Sequence, residues 1–83
     1  MTHHASKKFW KLFETLPESV QGLARKNFDL LKSDPVHPSL HFKKVSHMYS
    51  VRVGLKYRAL GVESPDGVLW FWIGSHADYD KML

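Results

Sequence analysis

The sequence predicts an α+β domain: an N-terminal antiparallel helical hairpin packed on a small antiparallel sheet of three to four strands, then a short C-terminal helix. Three observations predict it. Apolar residues recur at helical spacing through the first third of the chain. Pro35 and Pro38 then break that pattern, each biasing its predecessor away from helix. Beyond them come short stretches rich in β-branched and aromatic residues, punctuated by Gly, Asp and Pro. The 83 residues suit one domain over 1–83, with residues 1–5 expected as a loose terminus.

Phe9, Leu12, Phe13 and Leu16 form one apolar face, with Lys7, Lys8 and Lys11 mostly off it. This spacing predicts a first helix over residues 7–14. Thr15-Leu16-Pro17-Glu18 has capping-box spacing, and proline is tolerated in a first helical turn. A second helix is expected from there to about Lys32. Val20, Leu23, Ala24, Phe28 and Leu31 would point inward, with Arg25, Lys26 and Lys32 in solvent. So short a connection makes the two helices neighbours.

Strands are expected at residues 41–46 (an edge), 48–53, 57–62 and 68–73. In the second, Tyr49, Val51 and Val53 share one face while Met48, Ser50 and Arg52 share the other. If Gly54-Leu55-Lys56 is a three-residue loop, Val53 pairs with Tyr57 and Arg52 stands opposite Arg58. Like charges so placed repel unless an anion sits between them, and two guanidinium groups aimed at one spot suit a phosphate. A two-residue loop would move Arg58 to the other face. The run Val68-Leu69-Trp70-Phe71-Trp72-Ile73 lacks alternation, as in a strand buried on both faces. Gly74 ends it, and Ser75-His76-Ala77-Asp78 has capping-box form for a short helix carrying His76, Tyr79 and Asp80 on one face.

Charge is uneven: residues 1–62 hold eleven Lys/Arg against four acids (+7), residues 63–83 one lysine against four acids (−3). A basic body suits a phosphate-bearing or acidic partner, or is a solvated cationic surface. There is no cysteine, which excludes disulfides and thiolate zinc sites and suits the cytoplasm as the expected location. No window approaches the ~20 apolar residues of a membrane span. His37, His41 and His47 lack metal-ligand spacing with carboxylates, so neither metal nor cofactor is expected.

Tyr49-Ser50-Val51-Arg52-Val53-Gly54, Tyr57-Arg58-Ala59-Leu60 and Trp70-Phe71-Trp72-Ile73-Gly74-Ser75-His76-Ala77-Asp78-Tyr79-Asp80 resemble the RelE/ParE superfamily of bacterial type II toxin–antitoxin toxins. Asp34-Pro35 and His37-Pro38-Ser39-Leu40-His41-Phe42-Lys43-Lys44 fit the same pattern, and with the helical hairpin the resemblance covers nearly the whole chain. It implies a toxin neutralised by an acidic cognate antitoxin laid on its basic face. RelE-like members are ribosome-dependent endoribonucleases that cut messenger RNA; ParE-like members poison DNA gyrase. Arg52 matches a basic position of the RelE-like central strand, Arg58 its phosphate-clamping arginine, and His76 a histidine that some members carry. Tyr79 falls near an aromatic residue that stacks on a base or assists proton transfer. Ser50 stands where many RelE-like toxins have lysine, and Trp72 where some have a basic residue.

The chemistry implied is metal-independent internal transfer, yielding a 2′,3′-cyclic phosphate: His76 moves one proton while Arg52 and Arg58 hold the charged phosphorane. At a helix start the dipole favours neutral imidazole, whereas Asp80 favours the imidazolium. Lys43, Lys44, Lys56, Arg25 and Lys26 are candidate RNA contacts, positioning the strand without reading its sequence. Each has an ordinary alternative. The arginines could pair with Asp78, Asp80 or Glu63, Tyr79 could pack on Trp70 or Trp72, and each lysine could simply be solvated. Gyrase arrest and antitoxin binding without catalysis are the competing functions.

Overall fold

The computed structural model describes residues 2–82 of the chain. Strand β1 (Thr2–Ala5) is followed by helices α1 (Lys7–Glu14) and α2 (Glu18–Ser33) and a 3₁₀ turn at Pro38–Leu40. Strands β2 (Lys43–Val45), β3 (Met48–Val53), β4 (Tyr57–Ser64) and β5 (Gly67–Ser75) come next, and α3 (His76–Met82) closes the chain. Ser6 caps α1, its hydroxyl accepting from the Phe9 N–H. The Thr15 capping box does not form. Pro17 stands at the N-cap of α2 without a side-chain bond, so Thr15 stays in the preceding turn and donates to the Leu12 carbonyl at 2.6 Å. Leu23 is 37% exposed; the buried residues of α2 are Ala24, Asn27 and Leu31. The first hairpin strand is shorter than 41–46 because His41 adopts a left-handed conformation (φ 45°) that starts β2 only at Lys43.

The sheet has five strands in the order β1-β5-β4-β3-β2, where three to four were expected, because Thr2–Ala5, expected within a loose terminus, form a strand. β1 runs parallel to β5 on its free edge, and the other neighbours are antiparallel. The Thr2 N–H donates to the Asp66 carbonyl and the Ser6 N–H to the Trp70 carbonyl, both at 2.9 Å. His3 fixes the side-chain layer: its Nδ1 accepts the Trp70 indole N–H at 3.1 Å, and its ring meets Phe28 and Phe42 edge-on. Burial, with nearby positive charge adding to it, lowers the His3 pKa from its ordinary value. At the other end of β1, hydrogen bonding from Thr2 and the nearby His4 hold Asp66 below its ordinary value.

Two apolar layers result. Under α1 and α2 lie Val51, Val53, Ala59, Val68, Trp70 and Ile73, packed with Phe13, Ala24 and Leu31. On the opposite face Leu60 and Trp72 pack with Tyr79 of α3. A bulge in β5 permits this. Gly61 pairs with Trp70 and Leu60 with Trp72, so Phe71 is the extra residue and the two tryptophans point to opposite faces. Gly61 is required where the strands approach closely, since a Cβ there would lie 2.5 Å from Val68 Cγ1. Between α1, α2 and the sheet remains an apolar pocket of about 320 Å³, with Trp10 (44% exposed) and Arg25 in its walls. Among the described residues, no helix is long and apolar enough to cross a membrane.

Candidate functional site

The β3–β4 hairpin has the three-residue loop, with Val53 opposite Tyr57 and Arg52 opposite Arg58. Gly54 makes the loop possible by adopting φ 68°. Ser50, Arg52, Arg58 and Leu60 therefore share the face away from α1 and α2. A residue that the periodicity conceals anchors this hairpin from behind: the buried Asn27 side chain donates to the Arg52 carbonyl at 3.1 Å. Its only trace in the sequence is a polar residue set within the inward stripe of Ala24, Phe28 and Leu31.

The hairpin also holds the start of α3. The His76 N–H donates to the Lys56 carbonyl at 2.6 Å, and the Ser75 hydroxyl accepts from the Asp78 N–H at 3.1 Å, so the expected cap forms. Arg52, Leu55, Lys56, Ser75, His76 and Ala77 consequently line one open groove of about 470 Å³. His76 Nδ1 lies 3.1 Å from Asp80 Oδ2, with the histidine side chain 45% exposed. Leu55 is 83% exposed at the lip of the groove, an apolar tip among cations.

Arg58 occupies a different setting. It is only 6% exposed and lies outside the groove lining. One guanidinium nitrogen donates to the fully buried Ser50 hydroxyl at 3.2 Å, and the group sits 5.2 Å from the Tyr79 ring centroid. Its Nε has no partner. Among the described residues the ion pairs are His4–Asp66, Lys32–Asp29 and His76–Asp80; neither arginine is paired with Asp78, Asp80 or Glu63. Tyr79 is 5% exposed and packs with Leu60 and Trp72, its ring 5.8 Å from that of His76. It roofs Arg58 and backs His76.

The five candidate RNA contacts separate by strand parity and element. Lys56 lines the groove, and Lys43, opposite Ser50, shares the site face at the sheet edge. Lys44, opposite Tyr49, turns the other way and reaches 5.8 Å from that ring. Arg25 stacks over Phe13 and Trp10 on the helical side, and Lys26 is exposed on the same helix. Among the described residues no group of three His, Asp or Glu could hold a metal ion.

The fold is shared with solved toxins. A chain of the RelB–RelE antitoxin–toxin complex from Methanococcus jannaschii superposes with a TM-score of 0.73 at 17% identity, over 96% of this chain and 98% of that one. The RelBE2 toxin–antitoxin complex from Mycobacterium tuberculosis gives 0.67 at 16% identity, over 90% and 96%. A copper-bound mutant toxin from Helicobacter pylori gives 0.66 at 17% identity, over 94% and 97%. No curated protein matches the sequence at a significant level. The family model described as the ParE-like toxin domain matches residues 18–81, which is most of the chain and includes both arginines, His76 and Tyr79. The chain therefore belongs to the ParE-like toxin domain family.

Proposed function

We propose that this toxin cleaves RNA in the groove between the β3–β4 hairpin and the start of α3. The observation that carries this reading is the convergence there of Arg52, Lys56 and His76. A phosphodiester in the groove would lie between the Arg52 guanidinium and the Lys56 ammonium, which stabilise the charge that builds on its oxygens. His76 takes the 2′-hydroxyl proton, and the 2′-oxygen attacks phosphorus. The bond from phosphorus to the 5′-oxygen breaks, and that oxygen takes a proton from water in the open groove. The products are a 2′,3′-cyclic phosphate and a 5′-hydroxyl. Arg58, under its Tyr79 roof, adds positive potential from beneath the site, where the low dielectric strengthens its field.

Lys43 extends the cationic face toward the edge strand as a point charge for the RNA backbone. The partner that silences the toxin is an acidic antitoxin. Two of the structural neighbours come from toxin–antitoxin complexes, and the basic body has the complementary charge. The match to the ParE-like model supports a second reading, arrest of DNA gyrase without chemistry. An in-vitro translation reaction with mapped messenger ends separates the two. Cuts at defined positions that vanish in His76→Ala and Arg52→Ala support the nuclease; intact messenger beside trapped gyrase–DNA complexes overturns it.

A further inference from the structure

His76 and Asp80 stand four residues apart on α3, on one helix face, with Nδ1 and Oδ2 separated by 3.1 Å. A neutral imidazole carries its proton on one nitrogen or the other, and only the bare nitrogen can act as a base. The Asp80 carboxylate lies against Nδ1, its Oδ2 3.1 Å away, and not against Nε2. A carboxylate so placed selects the tautomer with the proton on Nδ1 and leaves the Nε2 lone pair free. Nε2 has no hydrogen-bond partner among the described residues, and the side chain to which it belongs lines the groove with Arg52 and Lys56. The backbone beneath the pair is pinned, because the His76 N–H is held by the Lys56 carbonyl and the Ser75 hydroxyl caps the turn between them.

We propose that Asp80 is the positioning residue of this site, orienting His76 so that Nε2 receives the 2′-hydroxyl proton. This rests on the nuclease reading above for its purpose, though not for its geometry.

Asp80→Asn tests the assignment, read by the ring-nitrogen NMR shifts of His76 and by cleavage kinetics on the same protein. The wild type is expected to show the Nδ1–H tautomer. In the variant that tautomer should lose its preference. Because Asp80 is 62% exposed, the melting temperature should hold. Cleavage should drop about 10–100-fold in kcat with KM little changed, and Asp80→Glu should recover part of it. An unchanged tautomer overturns the proposal whatever the RNA does. A changed tautomer in a protein whose wild type cuts no RNA upholds the positioning role and withdraws the nuclease reading, so the two failures are distinguishable.

Discussion

Replacing Arg58 with methionine and Ser50 with alanine together is expected to make the protein more stable and less active. Arg58 is a buried cation with one hydrogen bond, one aromatic neighbour, an unpartnered Nε and no carboxylate beside it. Desolvating an ion costs several kcal/mol even after relaxation, and the unpartnered Nε adds about 1–3 kcal/mol. Against this stand a hydrogen bond from a charged group, about 1.5–3 kcal/mol, and a cation–π contact of about 1–2 kcal/mol. Substituting Ser50 as well prevents its fully buried hydroxyl from being left alone. The net gain is about 1–2 kcal/mol, within the range seen when buried ionic groups give way to apolar ones of similar volume. At this size each kcal/mol moves the melting temperature by about 4–8 °C. Thermal unfolding followed by circular dichroism should show that rise while RNA cleavage falls. A melting temperature lowered by about 4 °C or more would mean that the guanidinium is a structural anchor, and its place in the functional account would be withdrawn.

Three further outcomes are expected. Asn27→Ala strands the Arg52 carbonyl and should lower stability by about 1–3 kcal/mol, seen as a reduced urea midpoint at unchanged slope. Gly54→Ala places a side chain at φ 68° with its Cβ 2.8 Å from Leu23 Cδ2; the half-exposed leucine tip can yield, so backbone strain of about 1–3 kcal/mol dominates. Folding lowers the His3 pKa, so the unfolded chain binds the extra proton first and stability should fall as pH drops below the ordinary value of 6.5. Protonation also removes the acceptor for the Trp70 indole. Melting curves from pH 8 to about pH 5 should show a shallower decline in His3→Phe than in the wild type. Identical declines would mean that His3 plays no part.

Much of this was legible because local chemistry and tertiary structure agree. The α1 stripe and the Ser75 cap follow from spacing; the Gly54-Leu55-Lys56 turn suits either a two- or a three-residue loop, and the three-residue form it takes dictates that Arg52 opposes Arg58. The misses are tertiary. Thr2–Ala5 is too short and too polar to announce a strand; it is ordered by a parallel partner 65 residues away and by one indole N–H. The spread of Trp70 and Trp72 to opposite faces depends on a bulge that a run of six apolar residues cannot reveal. The depth of Arg58 is set by Tyr79 folding back over it, so an arginine expected in the open beside Arg52 lies beneath a ring. Thr15 failed as a cap because Pro17 delays the helix start.

If the groove between Arg52, Lys56 and His76 performs transphosphorylation as proposed, the cut ends carry its chemical signature. Fragments from a translating mixture treated with the wild-type toxin should carry 2′,3′-cyclic phosphate at the upstream terminus and 5′-hydroxyl downstream, and His76→Ala should yield neither. Fragments ending in 3′-hydroxyl and 5′-phosphate, or equal cutting by His76→Ala, would contradict the account.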